Sequence, residues 1–223
     1  MISDFFSYKN SLDDIYQFQV LSNGSTSGYW YLNPKETVSY STEDNIFGPE
    51  EIRAIIFISK KLKKQYGTVG SDEKEIVIKK IRTSSICWMP MNCNTDWIYR
   101  RLTDYVINHN KTYFDFDLTK IESLQFTEYR GEETGHYSKH VDPMFWNIPE
   151  DRKLSFVVQL SDPSTYEGGD LLLYSGISSE PIKIEKKIGK IVFFPSNVLH
   201  EVTPVTKGTR HTLVGWVHGP KLR

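Results

Sequence analysis

The sequence predicts a mainly β fold with flanking helices: a double-stranded β-helix (jelly-roll) core with N-terminal helices packed on one sheet. Three observations predict it. From Ile121 onward, short β-type segments follow one another across turn residues with no helical period between them. Two amphipathic helical stretches fall upstream of that point. A length of 223 residues, with 39% hydrophobic and 13% aromatic content, suffices for a sizeable buried core. The chain therefore reads as a single domain over 1–223, with 1–120 as mixed helix and strand support and 121–217 as the jelly-roll core.

The elements follow in order. After the aromatic run Tyr29-Trp30-Tyr31-Leu32, Gly48-Pro49-Glu50-Glu51 has the proline and acids of a helix first turn. Ile52, Ile55, Ile56, Leu62 and Tyr66 carry near-helical spacing on from there, toward Tyr66. Lys60, Lys61, Lys63 and Lys64 form a basic face, read as solvated surface. Ile76-Val77-Ile78 and Ser85-Ile86-Cys87-Trp88 read as strands. A second helix is expected from a cap at Asn94 or Thr95 to about Asn108, burying Trp97, Ile98, Leu102, Tyr105 and Val106. The eight β segments are Ile121–Tyr129, Tyr137–Val141, Leu154–Leu160, Asp170–Tyr174, Pro181–Glu185, Lys190–Phe194, Val198–Val202 and Thr209–Val217. Gly168-Gly169 suits a tight turn or a close backbone approach.

Composition excludes several classes. A net charge of −1 gives no global electrostatic case for a nucleic-acid partner. Cys87 and Cys93 are not in a C-x-x-C arrangement and read as reduced thiols. The N-terminus lacks a basic segment followed by an apolar one, and no run approaches the apolar length of a membrane span. The expectation is a cytoplasmic protein. Oligomeric state is not readable.

The chemistry sits in His140-Val141-Asp142, with His200 58 residues after Asp142 and Arg210 ten residues later. Two imidazoles and one carboxylate form the face that holds a non-haem Fe(II) and leaves coordination positions open. On a strand, residues i and i+2 point the same way, so His140 and Asp142 can converge on one ion. His200 then supplies the third ligand from a distant strand. Arg210 and Thr212 share one side of the last strand. A guanidinium there suits a buried carboxylate, with the threonine hydroxyl as a weaker second donor. His211 alternates away from Arg210, and His136 and His218 take no role beyond solvent exposure or local bonding.

Further motifs follow in chain order. These are Tyr129-x-Gly131, Gly135-His136-Tyr137-Ser138-Lys139-His140-Val141-Asp142, Ser161-Asp162-Pro163, Tyr166-Glu167-Gly168-Gly169-Asp170-Leu171, and Phe194-Pro195 through His200 and Pro204-Val205-Thr206 to Arg210. In that order they resemble the Fe(II)- and 2-oxoglutarate-dependent dioxygenases of the prolyl-4-hydroxylase-like family, over roughly 121–217. The resemblance implies His140, Asp142 and His200 as metal ligands. It also implies Arg210, Thr212 and Tyr129 as 2-oxoglutarate contacts, and a peptide or protein substrate hydroxylated at proline. Fe(II), 2-oxoglutarate, O2 and ascorbate are the cofactors it implies, with succinate and CO2 released. Gly135-His136-Tyr137 is one residue shorter than the Gly-x-x-Tyr of many members. Retention of Asp142 implies hydroxylation rather than halogenation.

Tyr137, three residues before His140, points away from it on an ideal strand, so packing and substrate contact are both open to it. Phe145 and Trp146, in the patternless stretch Pro143–Lys153, suit a lid over substrate. Two other readings stand beside this one. The same chemistry could act on a free amino acid, another small molecule or a nucleobase. A cupin-like binding module or zinc hydrolase on the same fold would leave Arg210 and Thr212 without a task.

Overall fold

The computed structural model describes residues 38–67, 79–142, 150–174 and 180–221. The expectations for Tyr29–Leu32, for the strand Ile76–Ile78 and for Phe145 and Trp146 lie outside them. From Val38 onward the chain forms one compact unit. Among the described residues no helix is long and apolar enough to cross a membrane.

Two helices form where the spacing predicts. The first, α1 (Pro49–Lys60), starts at Gly48, whose N–H donates to Glu51 Oε2 at 2.8 Å, and buries Ile52 and Ile55. It stops at Lys60, short of the expected Tyr66, because Gln65–Tyr66 pairs instead with Ser85–Ile86 as a strand. The second, α2 (Asp96–His109), buries Ile98, Leu102 and Val106, with Trp97 and Tyr105 only partly covered. Thr95 precedes it, but its hydroxyl donates to Pro90 O at 2.6 Å instead of capping the helix. A π-helical turn, Asn110–Phe114, follows and ends at Asp115 in left-handed conformation.

The strands are β1 (Ser41–Glu43), β2 (Gln65–Tyr66), β3 (Arg82–Thr83), β4 (Ser85–Met89), β5 (Lys120–Ile121), β6 (Leu124–Arg130) and β7 (His136–His140). They continue with β8 (Glu150–Gln159), β9 (Tyr166–Gly168), β10 (Leu171–Tyr174), β11 (Ile182–Lys183), β12 (Ile191–Pro195), β13 (Leu199–Val202) and β14 (Val205–Pro220). The larger sheet runs β1-β12-β8-β14-β6-β4-β2, with β5 and β9 also paired to β14, and the smaller runs β11-β10-β13-β7-β3. All pairings are antiparallel. Each of the eight expected β segments contains a strand. The expected Ile121–Tyr129 is split into β5 and β6. The short strands β1, β2, β3 and β9 carry too few residues to show a period of two.

Alternation along the larger sheet sorts its two faces. Leu124, Phe126, Leu154, Phe156, Val158, Phe193 and Leu213 lie in one core with the buried residues of α1 and α2. Tyr129, Val157, Val192 and Phe194 fall in a second core with Leu171, Leu173 and Val202 of the smaller sheet. The helices thus cover one face of the larger sheet, and the space between the sheets is left to the site.

Gly168 and Gly169 both have left-handed backbone, φ 73° and 64°. A Cβ on Gly168 would lie 2.0 Å from Pro204 O, and one on Gly169 would lie 2.8 Å from Arg210 Cδ. Both glycines are needed for backbone shape and close approach, as the sequence suggests.

Leu213 is wholly buried, whereas Phe57 is 58% exposed. Leu213→Ala should cost about 2–5 kcal/mol of stability, and Phe57→Ala less than about 1. Urea unfolding of the two variants checks this. Equal losses would contradict the placement of the core.

Candidate metal centre and its surroundings

β7 and β13 lie side by side, with His140 opposite His200 and their ring centres 4.1 Å apart. Asp142 does not lie on the strand, as the H-x-D spacing suggests. β7 ends at His140, and Asp142 occupies its continuation because its N–H donates to Ser196 O at 3.0 Å. One donor atom from each of His140, Asp142 and His200 lies within 4.8 Å of the others. Donors held about 2.1 Å from a common ion are at most roughly 4.2 Å apart, so small side-chain adjustments close the set on a metal.

The local bonds fix which atoms face that point. His140 Nδ1 is 2.7 Å from Ser138 O, and His200 Nδ1 is 2.9 Å from Val198 O. A carbonyl oxygen only accepts, so each Nδ1 carries the proton and each Nε2 offers a lone pair. Burial, and then the neighbouring His200, push His140 down to about 3, which keeps its imidazole neutral. Ser155 Oγ donates to Asp142 Oδ2 at 2.5 Å and lies 2.9 Å from Ser196 Oγ. A buried carboxylate is thereby oriented through one oxygen, the one that also lies 3.9 Å from His200 Nε2.

Tyr137 is the clearest departure from the expected geometry. Its ring stacks on His140 at 3.5 Å with a 16° interplanar angle. The reason is a bulge. His200 pairs with His140 but Val202 pairs with Tyr137, so two steps on β13 match three on β7. The extra residue returns Tyr137 to the face of His140.

Arg210 is 2% exposed and pairs across β14 and β6 with Tyr129, its guanidinium carbon 5.5 Å from that ring. Burial raises the pKa of the Tyr166 phenol, and the positive charge of Arg210 opposes that rise. Its Nε is buried without a partner, and among the described residues no carboxylate pairs with the guanidinium. Thr212, 1% exposed, shares the face of Arg210 and pairs with Thr127 and Gln159. Trp216, further along the same face, has a buried Nε1 with no partner.

The remaining histidines divide as follows. His211 turns away from Arg210, packs on Phe126 and bonds to Glu128 at 3.1 Å. His136 Nδ1 donates to Thr134 O at 2.9 Å. His218 is locally bonded but buried, its Nε2 2.5 Å from Glu122 Oε1. Glu122 also takes both arms of Arg152, whose guanidinium carbon sits 3.9 Å above Trp216.

Ser155 and Gln125 escape the sequence reading, and Ser196, Tyr166 and Arg82 receive no role in it. Tyr166 leaves a signal as the start of the Tyr-Glu-Gly-Gly-Asp motif, and Arg82 opens an Arg-Thr-Ser run that resembles the strand–helix lead-in of bacterial and viral members of the family. The serines act through contacts between residues 41 apart.

Residues 124–218 match the family described as the 2OG-Fe(II) oxygenase superfamily. A PKHD-type hydroxylase of Pseudoalteromonas atlantica is 37% identical over 103 residues, covering 44% of each chain. One of Nitrosomonas europaea is 36% identical over 117 residues, 50% of each. The chain thus spans about half the length of the curated relatives it matches. Among solved structures, a Pseudomonas putida prolyl-4-hydroxylase superposes with TM-score 0.63 at 19% identity, covering 82% of this chain and 94% of that one. A Trichoplax adhaerens prolyl hydroxylase, solved with a hypoxia inducible factor peptide fragment, gives 0.66 at 17%, covering 80% and 83%. These two likenesses show the double-stranded β-helix fold.

If the Ser155 hydroxyl orients Asp142, Ser155→Ala should weaken binding of Mn(II) about 10- to 100-fold without altering the thermal unfolding midpoint by more than a few degrees. Calorimetric titration with Mn(II) reads the first and a melting curve the second. Unchanged affinity would remove the serine from the site.

Proposed function

We propose, from the match of residues 124–218 to the 2OG-Fe(II) oxygenase superfamily and a fold like that of a prolyl-4-hydroxylase, that the protein is an Fe(II)- and 2-oxoglutarate-dependent dioxygenase acting on prolyl residues of a peptide or protein. The observation that carries this reading is Arg210. A fully buried guanidinium with an orphaned Nε and, among the described residues, no carboxylate partner calls for an anion from outside the chain. It shares the space between the sheets with a His–Asp–His set suited to Fe(II).

In this reading His140, Asp142 and His200 hold the iron through two Nε2 atoms and one carboxylate oxygen. The iron, when bound, couples 2-oxoglutarate, O2 and a substrate C–H bond to succinate, CO2 and the hydroxylated product. Arg210 holds the distal carboxylate of 2-oxoglutarate through paired N–H donors, and Thr212 and Tyr129 add hydroxyls nearby. Tyr166 steadies the guanidinium. Tyr137 braces His140 by stacking and presents its phenol edge toward substrate. Val157, Val192 and Phe194 exclude water from the reacting centre. Adding ascorbate to the same assay tests its accessory role.

A measurement of succinate from Fe(II), O2 and 2-oxoglutarate, with and without prolyl peptides, tests the reading. His140→Ala and His200→Ala should each abolish succinate formation while circular dichroism and melting stay close to the parent, because the two cores close without an ion. Retained turnover in either variant would refute the ligand set.

Arg210→Ala should raise the 2-oxoglutarate concentration for half-maximal rate about 10- to 100-fold, and Thr212→Val only about fivefold. A charge-assisted bond is worth roughly 1.5–3 kcal/mol against about 1 for a neutral hydroxyl. Equal shifts would contradict the assignment. Failure of every prolyl peptide to stimulate succinate release would redirect the search to free amino acids and other small molecules.

A further inference from the structure

Arg82 is a second buried guanidinium that no carboxylate of the described residues neutralises. It is 7% exposed. Its Nε donates to Ser84 Oγ at 2.9 Å and its Nη2 to Gln125 Oε1 at 2.7 Å, both neutral acceptors. Among the described residues no carboxylate pairs with it. By contrast, Arg152, the neighbouring buried arginine, is bonded through two nitrogens to Glu122.

The position of Arg82 is as informative as its charge. Its guanidinium carbon lies 4.6 Å over the Tyr137 ring, and that ring stacks at 3.5 Å on the metal-site residue His140. The guanidinium is therefore within about 8 Å of the His140 ring, roughly two residues of extended chain. Arg82 also borders a cavity of about 350 Å³ shared with Gly67, Ser84, His136 and the oppositely charged Lys79 and Glu133. A Cβ on Gly67 would lie 2.4 Å from Arg82 Nε, so the glycine leaves room for the side chain.

A neutral residue could tie β3 to Gln125 as well as arginine does, without the cost of burying a charge. Charge balance in the loaded site leads to the same point. Fe(II) and Arg210 together offset Asp142 and the two carboxylates of 2-oxoglutarate, and Arg152 offsets Glu122. Lys79 and Glu133 on the cavity wall carry opposite charges, so among the described residues Arg82 is then left with one positive charge beside the reaction centre.

We infer that Arg82 binds a carboxylate of the substrate, placed within about two residues of the carbon that is oxidised. The substrate class is thus a free amino or imino acid, or a peptide oxidised at its C-terminal end. This rests on the oxygenase chemistry proposed above, and it replaces an internal prolyl residue with a substrate whose own carboxylate lies near the oxidised carbon.

The test uses the full chain loaded with Mn(II) and 2-oxoglutarate without O2, and then with Fe(II) and O2. The probes are the twenty free amino acids and a library of short peptides, proline-terminated members included, each as C-terminal acid and as C-terminal amide. Calorimetry reads binding, and mass spectrometry reads a gain of one oxygen. The expected result is binding and product in the acid arm, at least tenfold stronger than in the matched amides. Free amino acids and terminal peptides separate within that arm. Arg82→Gln should erase the acid preference and Arg82→Lys restore part of it, with 2-oxoglutarate binding unchanged. Amides or internally oxidised peptides performing as well as acids would overturn the inference, as would an acid arm that neither binds nor reacts. The acid–amide comparison in the unaltered protein decides the matter even if the variants fail to fold. Loss of 2-oxoglutarate and Mn(II) binding in the parent chain would instead count against the oxygenase reading.

Discussion

The period of two along β14 is the constraint on which the rest of the molecule depends. This strand pairs with β8 on one side and β6 on the other, and with β5 and β9 at its ends. Leu213 and Val217 enter the core beneath the helices, while Arg210, Thr212, Val214 and Trp216 turn to the other face. A slip of one residue would exchange the two sets. It would bring Arg210 against α1 and α2 and put Leu213 where a carboxylate should bind. The apolar partners Phe126 and Val158 on the flanking strands hold the register from both sides.

The metal site depends on a second, smaller constraint. Two histidines on adjacent strands must present the same nitrogen to one point, and each does so by donating Nδ1–H to the carbonyl two residues earlier. Neither needs a distant partner for its tautomer. Asp142 does, because it lies past the end of β7. Ser196 takes its backbone N–H and Ser155 its side-chain oxygen, and these come from β8 and the β12–β13 turn. Those elements are fixed to each other by the pairing of β12 with β8. The carboxylate is thus placed by the larger sheet and the imidazoles by the smaller.

Legibility in the sequence follows from the range of each interaction. The eight β segments were readable because alternation is local, and the His-x-Asp with a later His because ligand chemistry restricts residue types. Arg210 and Thr212 were readable as i and i+2 on one strand. Tyr137 was misplaced because a bulge has no signature in its own strand: it is a mismatch of steps between β7 and β13. β2, with two residues, followed a helical spacing that ran on past Lys60, and only its pairing with β4 shows it to be a strand. Arg82-Thr83-Ser84 was readable as a likeness to a strand–helix lead-in, but a binding role for Arg82 was not. What distinguishes it is the lack of a carboxylate within reach in space, and no sequence pattern encodes a missing partner.

That missing partner bears on stability as well as on recognition. Buried guanidinium groups that no carboxylate of the described residues neutralises lower the stability of the folded protein, since their desolvation is offset only when an anion binds. The compensation lies on the opposite face of the same sheet. There α1 and α2 bury Ile52, Ile55, Ile98, Leu102 and Val106 against Phe126, Phe156 and Leu213, with no charged group among these side chains. The helices are therefore more than decoration on a jelly roll. Their apolar packing offsets the polar interior of the site, so the pocket can keep cations that its own walls do not neutralise. Anions that bind there should accordingly raise the melting temperature of the protein, through preferential binding to the folded state.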